Sequence, residues 1–429
     1  MAASKFGRKL DPYRRLREPF GVKGVRQWVV NTHDPSTIDQ NHNLIVKFPR
    51  LGVHDVILPG TARLAFTISL TSTDDNRTLV QNIGQAVISK TLIKIGSTEV
   101  MSISNSDIYH CYRDLWKTAQ ERENSQYQGI DTSNNQNVTK IRVNAGDAGR
   151  NSIHDAIADA YGNNFYIPLD FEMLESHMPL YQTGLQDTLQ YELTFNKYSH
   201  VIKAQNDAKA KYTIDNIRLE YEIVTQQELS QLISRQYASS TVIYYDRVVL
   251  SDHKVKNKSE GIWNFDVHDG AKSMKGILIL FQEPREDYQC NTETFYNPKI
   301  TKVEVTIKGL PNQLYSHGLT TYQQWDEARK FLAAGCKRHP EVAMVAKDLG
   351  LADVSIGDYL TSKYALWLDL RSSDDDIIHG NGRRVDSGDT VKIKIEKKKE
   401  AAGELNVYIY AIIDAQINIK DGRFITAVY

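Results

Sequence analysis

Two runs of short alternating segments, each broken by a helical stretch at the same point, constrain this chain more than any other feature. In VKIKIEK, Val391, Ile393 and Ile395 fall on one side and Lys392, Lys394 and Glu396 on the other. That period of two is the pattern of a half-buried strand. The same pattern recurs in QWVVNT, NLIVKF, TARLAFTISL, AVISKTLIKI, NNFYIPLDF, DTLQYELTF and IDNIRLEYEIV. It recurs again in TVIYYDRVVL, IWNFDVHD, MKGILILFQ, ITKVEVTIKG, YALWLDL, the Val391 segment and ELNVYIYAIIDAQINIK. Turn residues separate the segments, among them Pro59-Gly60, Thr73 to Asn76 and Gly380-Asn381-Gly382, the last run expected to tolerate positive φ.

The period changes once in each series. In SDIYHCYRDLWKTAQEREN, Ile108, Cys111, Tyr112, Leu115 and Ala119 recur at helical spacing, with Ser106 or Asp107 placed to cap the first turn. TTYQQWDEARKFLAAG does the same later, with Gly335 as the expected closing residue. Thr91 lies 18 residues before Tyr109, and Val303 lies 19 before Tyr322. Tyr166 precedes Leu189 by 23 residues, and Tyr364 precedes Val391 by 27. A helix therefore interrupts both strand series before their last three members. Each half has seven clear strands and an eighth that is hard to place. Eight antiparallel strands in two Greek keys make a jelly roll.

The expected architecture is all-β: two tandem eight-stranded jelly-roll sandwiches, each with an inserted helix, joined by a short helical connector. The divisions are a basic N-terminal arm at 1–26, a first sandwich at 27–225, a connector helix at 226–238 and a second sandwich at 239–429. The connector carries Leu229, Leu232, Ile233 and Tyr237 on one face. A chain of 429 residues is long enough for two cores.

The net charge of -1 conceals an uneven distribution. The first 26 residues hold Lys5, Arg8, Lys9, Arg14, Arg15, Arg17, Lys23 and Arg26 against Asp11 and Glu18, a net of +6. An arm so poor in apolar residues is expected to order on a partner, either nucleic acid, an anionic surface or an acidic protein, or else to remain a solvated tail. It has no apolar centre of the secretory type. No apolar run reaches the roughly 18 residues of a membrane span. Three scattered cysteines (Cys111, Cys290, Cys336) suggest neither a disulfide framework nor a zinc site, and fit a reducing compartment.

Motifs for catalysis and cofactors come out empty. There is no phosphate-binding loop, dinucleotide fingerprint or H-E-x-x-H. Asp374, Asp375 and Asp376 with His379 have the oxygen donors for a divalent cation, but read better as a charged loop tip. The twelve histidines are scattered: His42, His54 and His110 share no spacing, and His253 and His268 fall at strand edges. The expectation is no catalytic, cofactor or metal residues. A carbohydrate-binding or carbohydrate-processing double sandwich remains the alternative, exposing aromatics such as Trp263 or Trp367, whose ordinary role would be core packing.

NNFYIPLDFEMLESHMPLYQTGLQDTLQYELTF resembles the end of the first jelly roll in double jelly-roll major capsid proteins. LWLDLRSSDDDIIHGNGRRV through YIYAIIDAQINIKDGRFITAVY resembles their C-terminal segment. The similarity is nearest to capsid proteins of Polinton/Maverick elements and adintoviruses, with those of virophages and adenovirus further off. It implies a structural capsid protein of a double-stranded DNA virus or virus-like element, without enzymatic activity or cofactors. It also implies a homotrimer with a pseudo-hexameric outline that tiles an icosahedral shell beside neighbouring capsomers, and penton or minor capsid proteins as partners. The basic arm is then expected on the internal face, near DNA or internal capsid components. The location implied is the virion, after synthesis in the host cytosol and assembly in nucleus or cytoplasm. A minor capsid protein of the same lineage is a second structural reading. The two excursions around the helices, roughly 124–163 and 337–362, are expected to leave the same end of both sandwiches and form outward towers.

Overall fold

The computed structural model describes residues 25–429 except 33–36, 53, 59, 72–77, 131–137, 140–163, 170, 172–186, 204–209, 229–230, 232–240, 313–314, 316, 333–353, 372–381, 387 and 421–422. The first half opens with β1 (Val25–Thr32), β2 (Thr37–Ile38), β3 (Asn43–Lys47), β4 (Asp55–Ile57) and β5 (Arg63–Thr71). Next come β6 (Thr78–Val80), β7 (Ile88–Ile95) and β8 (Thr98–Ser104), then a helical region. The half closes with β9 (Val138–Thr139), β10 (Asn164–Pro168), β11 (Leu189–Phe195), β12 (Ile202–Lys203) and β13 (Lys211–Thr225). One sheet runs β1-β13-β5-β10, the other β3-β11-β7-β8, all antiparallel. Phe48 and Tyr221 meet between the sheets with ring centroids 5.9 Å apart.

The second half repeats this topology. It consists of β14 (Thr241–Val255), β15 (Ile262–Val267), β16 (Ala271–Gln282), β17 (Ile300–Ile307), β18 (Leu310–Pro311) and β19 (Ala365–Asp369). β20 (Arg383–Val385), β21 (Val391–Lys397), β22 (Leu405–Lys420) and β23 (Arg423–Val428) complete it. Its sheets run β14-β22-β16-β19 and β15-β21-β17-β18. Each strand takes the place of its counterpart: β14 for β1, β22 for β13, and so through all eight. This is the jelly-roll order, twice.

The alternation seen in the sequence becomes the in–out pattern of the sheets. Along β21 the odd-numbered residues Val391, Ile393 and Ile395 are buried and the intervening ones are partly or fully exposed. The hard-to-place eighth strand is β8 in one half and β18 in the other. Both are second arms of hairpins: β7 pairs with β8, and the two-residue β18 returns on β17 through Lys308 and Gly309, both at positive φ.

The inserted helices stand where expected, at Ser106–Leu115 and Thr321–Leu332, between the fifth and sixth of the eight sandwich strands of each half, β8 and β10 in the first and β18 and β19 in the second. Their details differ from expectation. Asn105, at φ 47, occupies the cap position with no side-chain cap, while Ser106 bonds Thr91 at 2.9 Å and Asp107 is buried elsewhere. The helical spacing also breaks after Leu115; a second short helix, Ala119–Glu123, starts with Thr118 and Glu121 bonding each other's backbone N–H. Gly382 serves close packing and has no positive φ: a Cβ there would collide with the Met274 carbonyl on β16. The 226–238 connector lies mostly outside the described residues, as does Gly335.

Candidate assembly site

The two sandwiches meet along a buried junction built around the Ser106–Leu115 helix. Its polar residues face the second sandwich in the following way. Asp107, 3% exposed, accepts from Arg285 at 2.7 Å and from Asn196 at 3.0 Å. Burial opposes the Arg285 charge, yet Asp107 more than offsets it and the guanidinium is held more firmly protonated than usual. His200 lies 3.3 Å from Arg285, and burial followed by that cation lowers its pKa. Further along, Arg122 and Glu293 pair at 2.8 Å with side chains 3% and 5% exposed. Arg122 also donates to the Asp114 carbonyl at 3.1 Å. Two oppositely charged groups withdrawn from water need each other; leaving either alone costs about 3–5 kcal/mol.

Aromatic rings fill the rest of the junction. Tyr109 packs on Tyr410 at 5.0 Å, and the Tyr410 hydroxyl donates to the Asn105 carbonyl at 3.0 Å. Tyr112 meets Phe295 edge-on at 4.8 Å and donates to the Lys363 carbonyl at 3.2 Å. Trp116 packs against Trp325 at 5.4 Å and Tyr359 at 6.3 Å. On the flank, Tyr245 of β14 donates to the Val100 carbonyl of β8 at 2.9 Å. Each ring buried this way contributes on the order of 2–3 kcal/mol. The sandwiches are thus fixed at one relative orientation.

The junction also brings together the ends of the two inserted helical regions, where Trp116 packs on Trp325 and Tyr359. Thr292, in the β16–β17 connection, donates to the Gln81 carbonyl in the β5–β7 connection at 2.7 Å, at the same junction. Most of 124–163 and 337–362 lies outside the described residues.

Of the basic arm, Lys5, Arg8, Lys9, Arg14, Arg15, Arg17 and Lys23 lie outside the described residues. Arg26 belongs to β1, where it forms an ion pair with Glu222. Asp374, Asp375, Asp376 and His379 also lie outside the described residues, among which no three metal-ligating side chains cluster. Cys111 and Cys290 are free and buried; burial pushes Cys111 well up and Cys290 to about 11, so neither is a ready thiolate. Trp263 and Trp367, 3% and 0% exposed, are core residues and offer no sugar platform. Among the described residues no helix is long and apolar enough to cross a membrane.

No local signal announced the junction ion pairs, because Arg122 and Glu293 are 171 residues apart. A partial clue was available in the first helix, where Asp107, Tyr109 and Tyr112 add polar and aromatic groups around its apolar face.

No protein-family model matches the chain, and no curated protein matches it by sequence. Solved structures do match in fold. The quasi-atomic model of the PBCV-1 virus capsid superimposes with a TM-score of 0.59 at 13% identity, covering 96% of this chain and 98% of the other. The Sputnik virophage structure gives 0.57 at 11% identity, covering 96% and 90%. The Faustovirus major capsid protein gives 0.55 at 8%, covering 94% and 92%. The chain therefore has the double jelly-roll fold of these capsid proteins over the 94–96% of its length that they cover.

Proposed function

We propose that this chain is the major capsid protein of a double-stranded DNA virus or virus-like element, of the Polinton/Maverick–adintovirus kind. The carrying observation is the pairing of two sandwiches of identical strand order through a buried, ion-paired junction. One subunit of this shape supplies two of the six corners of a near-hexagonal block, and three supply all six. The role is structural: cohesion comes from surface buried between subunits, with no catalytic group, metal or cofactor required. Its partners are its own copies, neighbouring capsomers, and penton or minor capsid proteins. The arm at 1–26 meets DNA or internal components, and the sandwiches occupy 27–225 and 239–429 about a connector at 226–238. The protein resides in the virion after synthesis in the host cytosol and assembly in nucleus or cytoplasm. The excursions at roughly 124–163 and 337–362 leave a common end of the two sandwiches and form the outward towers.

A minor capsid protein of the same lineage is the second reading, favoured only by the shared fold; burial of Trp263 and Trp367 speaks against the carbohydrate alternative. Light scattering on the purified chain tests the proposal. A mass of three chains, stable on dilution, is expected; a stable monomer under assembly-like salt contradicts it.

A further inference from the structure

A lysine cluster caps one end of the second sandwich. It is built from two turns, 256–261 between β14 and β15 and 398–404 between β21 and β22, with Lys299 beside them just before β17. Lys254, Lys256, Lys258, Lys299, Lys397, Lys398 and Lys399 stand there against Glu260, Glu283, Glu400 and Glu404, an excess of three positive charges. Lys397 holds the frame. Its side chain is withdrawn from water, and its ammonium donates to the Lys258 carbonyl at 2.9 Å and the Lys398 carbonyl at 2.8 Å. It also lies 3.6 Å from Glu400 and 4.9 Å from the centre of the Trp263 ring. Two backbone bonds close the same joint, from Lys258 N–H to the Gly403 carbonyl at 2.7 Å and from Lys397 N–H to the Gly261 carbonyl at 2.9 Å. A buried charge satisfied in this way fixes the two turns against each other.

Most of the carboxylates are already taken. Glu404 pairs with Lys254 at 2.6 Å and Glu283 with Lys258 at 2.7 Å. Glu400 pairs with Lys299 at 2.9 Å and accepts from the Tyr296 hydroxyl. Lys256, Lys398 and Lys399 are exposed and pair with no carboxylate among the described residues; Glu260 is exposed and unpaired as well. The open part of the cluster is therefore three lysines on a rigid support.

Position and chemistry narrow the partner. Val255 faces Leu405 at this end, Gln282 faces Asn406, and β19 enters its sheet at Ala365 opposite Leu280. The 337–362 excursion thus returns to the sandwich beside the cluster, where Asn297 donates to the Leu360 carbonyl at 2.8 Å. Under the capsid reading an end that carries an excursion faces away from packaged DNA. Protein interfaces favour aromatic and arginine anchors and are poor in lysine. Here the open side chains are lysines, while Trp263 is buried and Tyr296 half-buried. Separate ammonium groups match a chain of spaced anionic groups. We propose that this cluster binds a sulfated polysaccharide through Lys256, Lys398 and Lys399. The inference rests on the outward placement proposed above, and repetition across a shell multiplies a weak single contact.

Full-length protein with a heparin oligosaccharide as the probe tests it, read by lysine acetylation and mass spectrometry. Protection is expected at Lys256, Lys398 and Lys399 and not at Lys90 or Lys392, which are exposed elsewhere on β7 and β21. Changing all three to Gln should lower the slope of log affinity against log salt by about 2–3, at about 0.7–0.9 per charge contact. Changing all three to Arg should keep the slope. Protection confined to Lys5, Lys9 and Lys23 of the arm, or equal protection at Lys90 and Lys392, would overturn the proposal. Tighter binding of poly-glutamate or single-stranded DNA at the three lysines would overturn it in favour of an acidic protein or a nucleic acid. Protection in free trimers that vanishes in assembled shells would overturn it together with the outward placement. A monomeric chain with the full footprint would support the site and overturn the trimer reading alone.

Discussion

Arg122 of the first sandwich and Glu293 of the second form a 2.8 Å ion pair with both side chains at most 5% exposed. A pair so placed ties two cores that otherwise fold on their own sheets, and it holds only while both partners are present. Arg122→Ala is expected to destabilise the protein by about 3–5 kcal/mol, read as a lower thermal midpoint. Arg122→Met with Glu293→Leu should recover most of that loss, because no charge remains buried. A double variant as unstable as the single one would mean that the charges themselves hold the junction.

Gly276 of β16 is required by its neighbour on the next strand. A Cβ at this position would collide with the indole of Trp367, which is fully buried and stacked on Phe331 at 3.5 Å. Gly276→Ala should cost about 1–3 kcal/mol through overpacking. Gly261→Ala, where the nearest atom would be 3.7 Å away, is the control expected to unfold at nearly the parent temperature.

Strands with one buried face could be read from the chain because their chemistry repeats every two residues, as in β21 and in Asn43–Lys47, whose burial alternates without exception. Position in the series also revealed the two helices. The eighth strand was obscure for physical reasons. β18 has only two residues, both exposed, and leaves no apolar trace. β8 carries Glu99 and Ser102 among its apolar residues and buries Val100 and Met101 in succession, which blurs the period. The junction was illegible in another way. Asp107 has the look of a helix cap, yet its partner Arg285 comes from the other sandwich, and only the assembled fold brings them together.

Acid should loosen the molecule through histidines near the junction. His110 is lowered to about 4, by burial first and then by Arg113; His200 is lowered by burial and then by Arg285. Each folded-state pKa lies below the ordinary 6.5, so the unfolded chain binds more protons as pH falls. For His110 that contribution is fully present above pH 6.5 and is lost on the way down to about 4; for His200 it declines as pH falls below 6.5. For His110, which keeps partial exposure, the loss is at most about 3 kcal/mol. His110→Gln should flatten the midpoint's pH dependence between 6.5 and 4; an unchanged slope would remove His110 from the account.

Removing residues 1–24 leaves β1 whole, since that strand begins at Val25. The shortened chain is expected to unfold at the parent temperature and to form the same oligomer. Shell closure, or retention of DNA and internal components, should suffer, and the parent's advantage should shrink as salt rises. Normal assembly and packaging by the shortened chain at every salt concentration would reduce the basic arm to a solvated tail.

The central claim is that two matched sandwiches per chain build a hexagonal block from three chains. Electron microscopy of the purified full-length protein addresses it most directly. Particles with a near-hexagonal outline, six sandwich-sized lobes and three-fold averaging symmetry, alone or tiled into shells, are the predicted result. Two-lobed single chains, or symmetric dimers with no six-lobed class under any assembly condition, would contradict it.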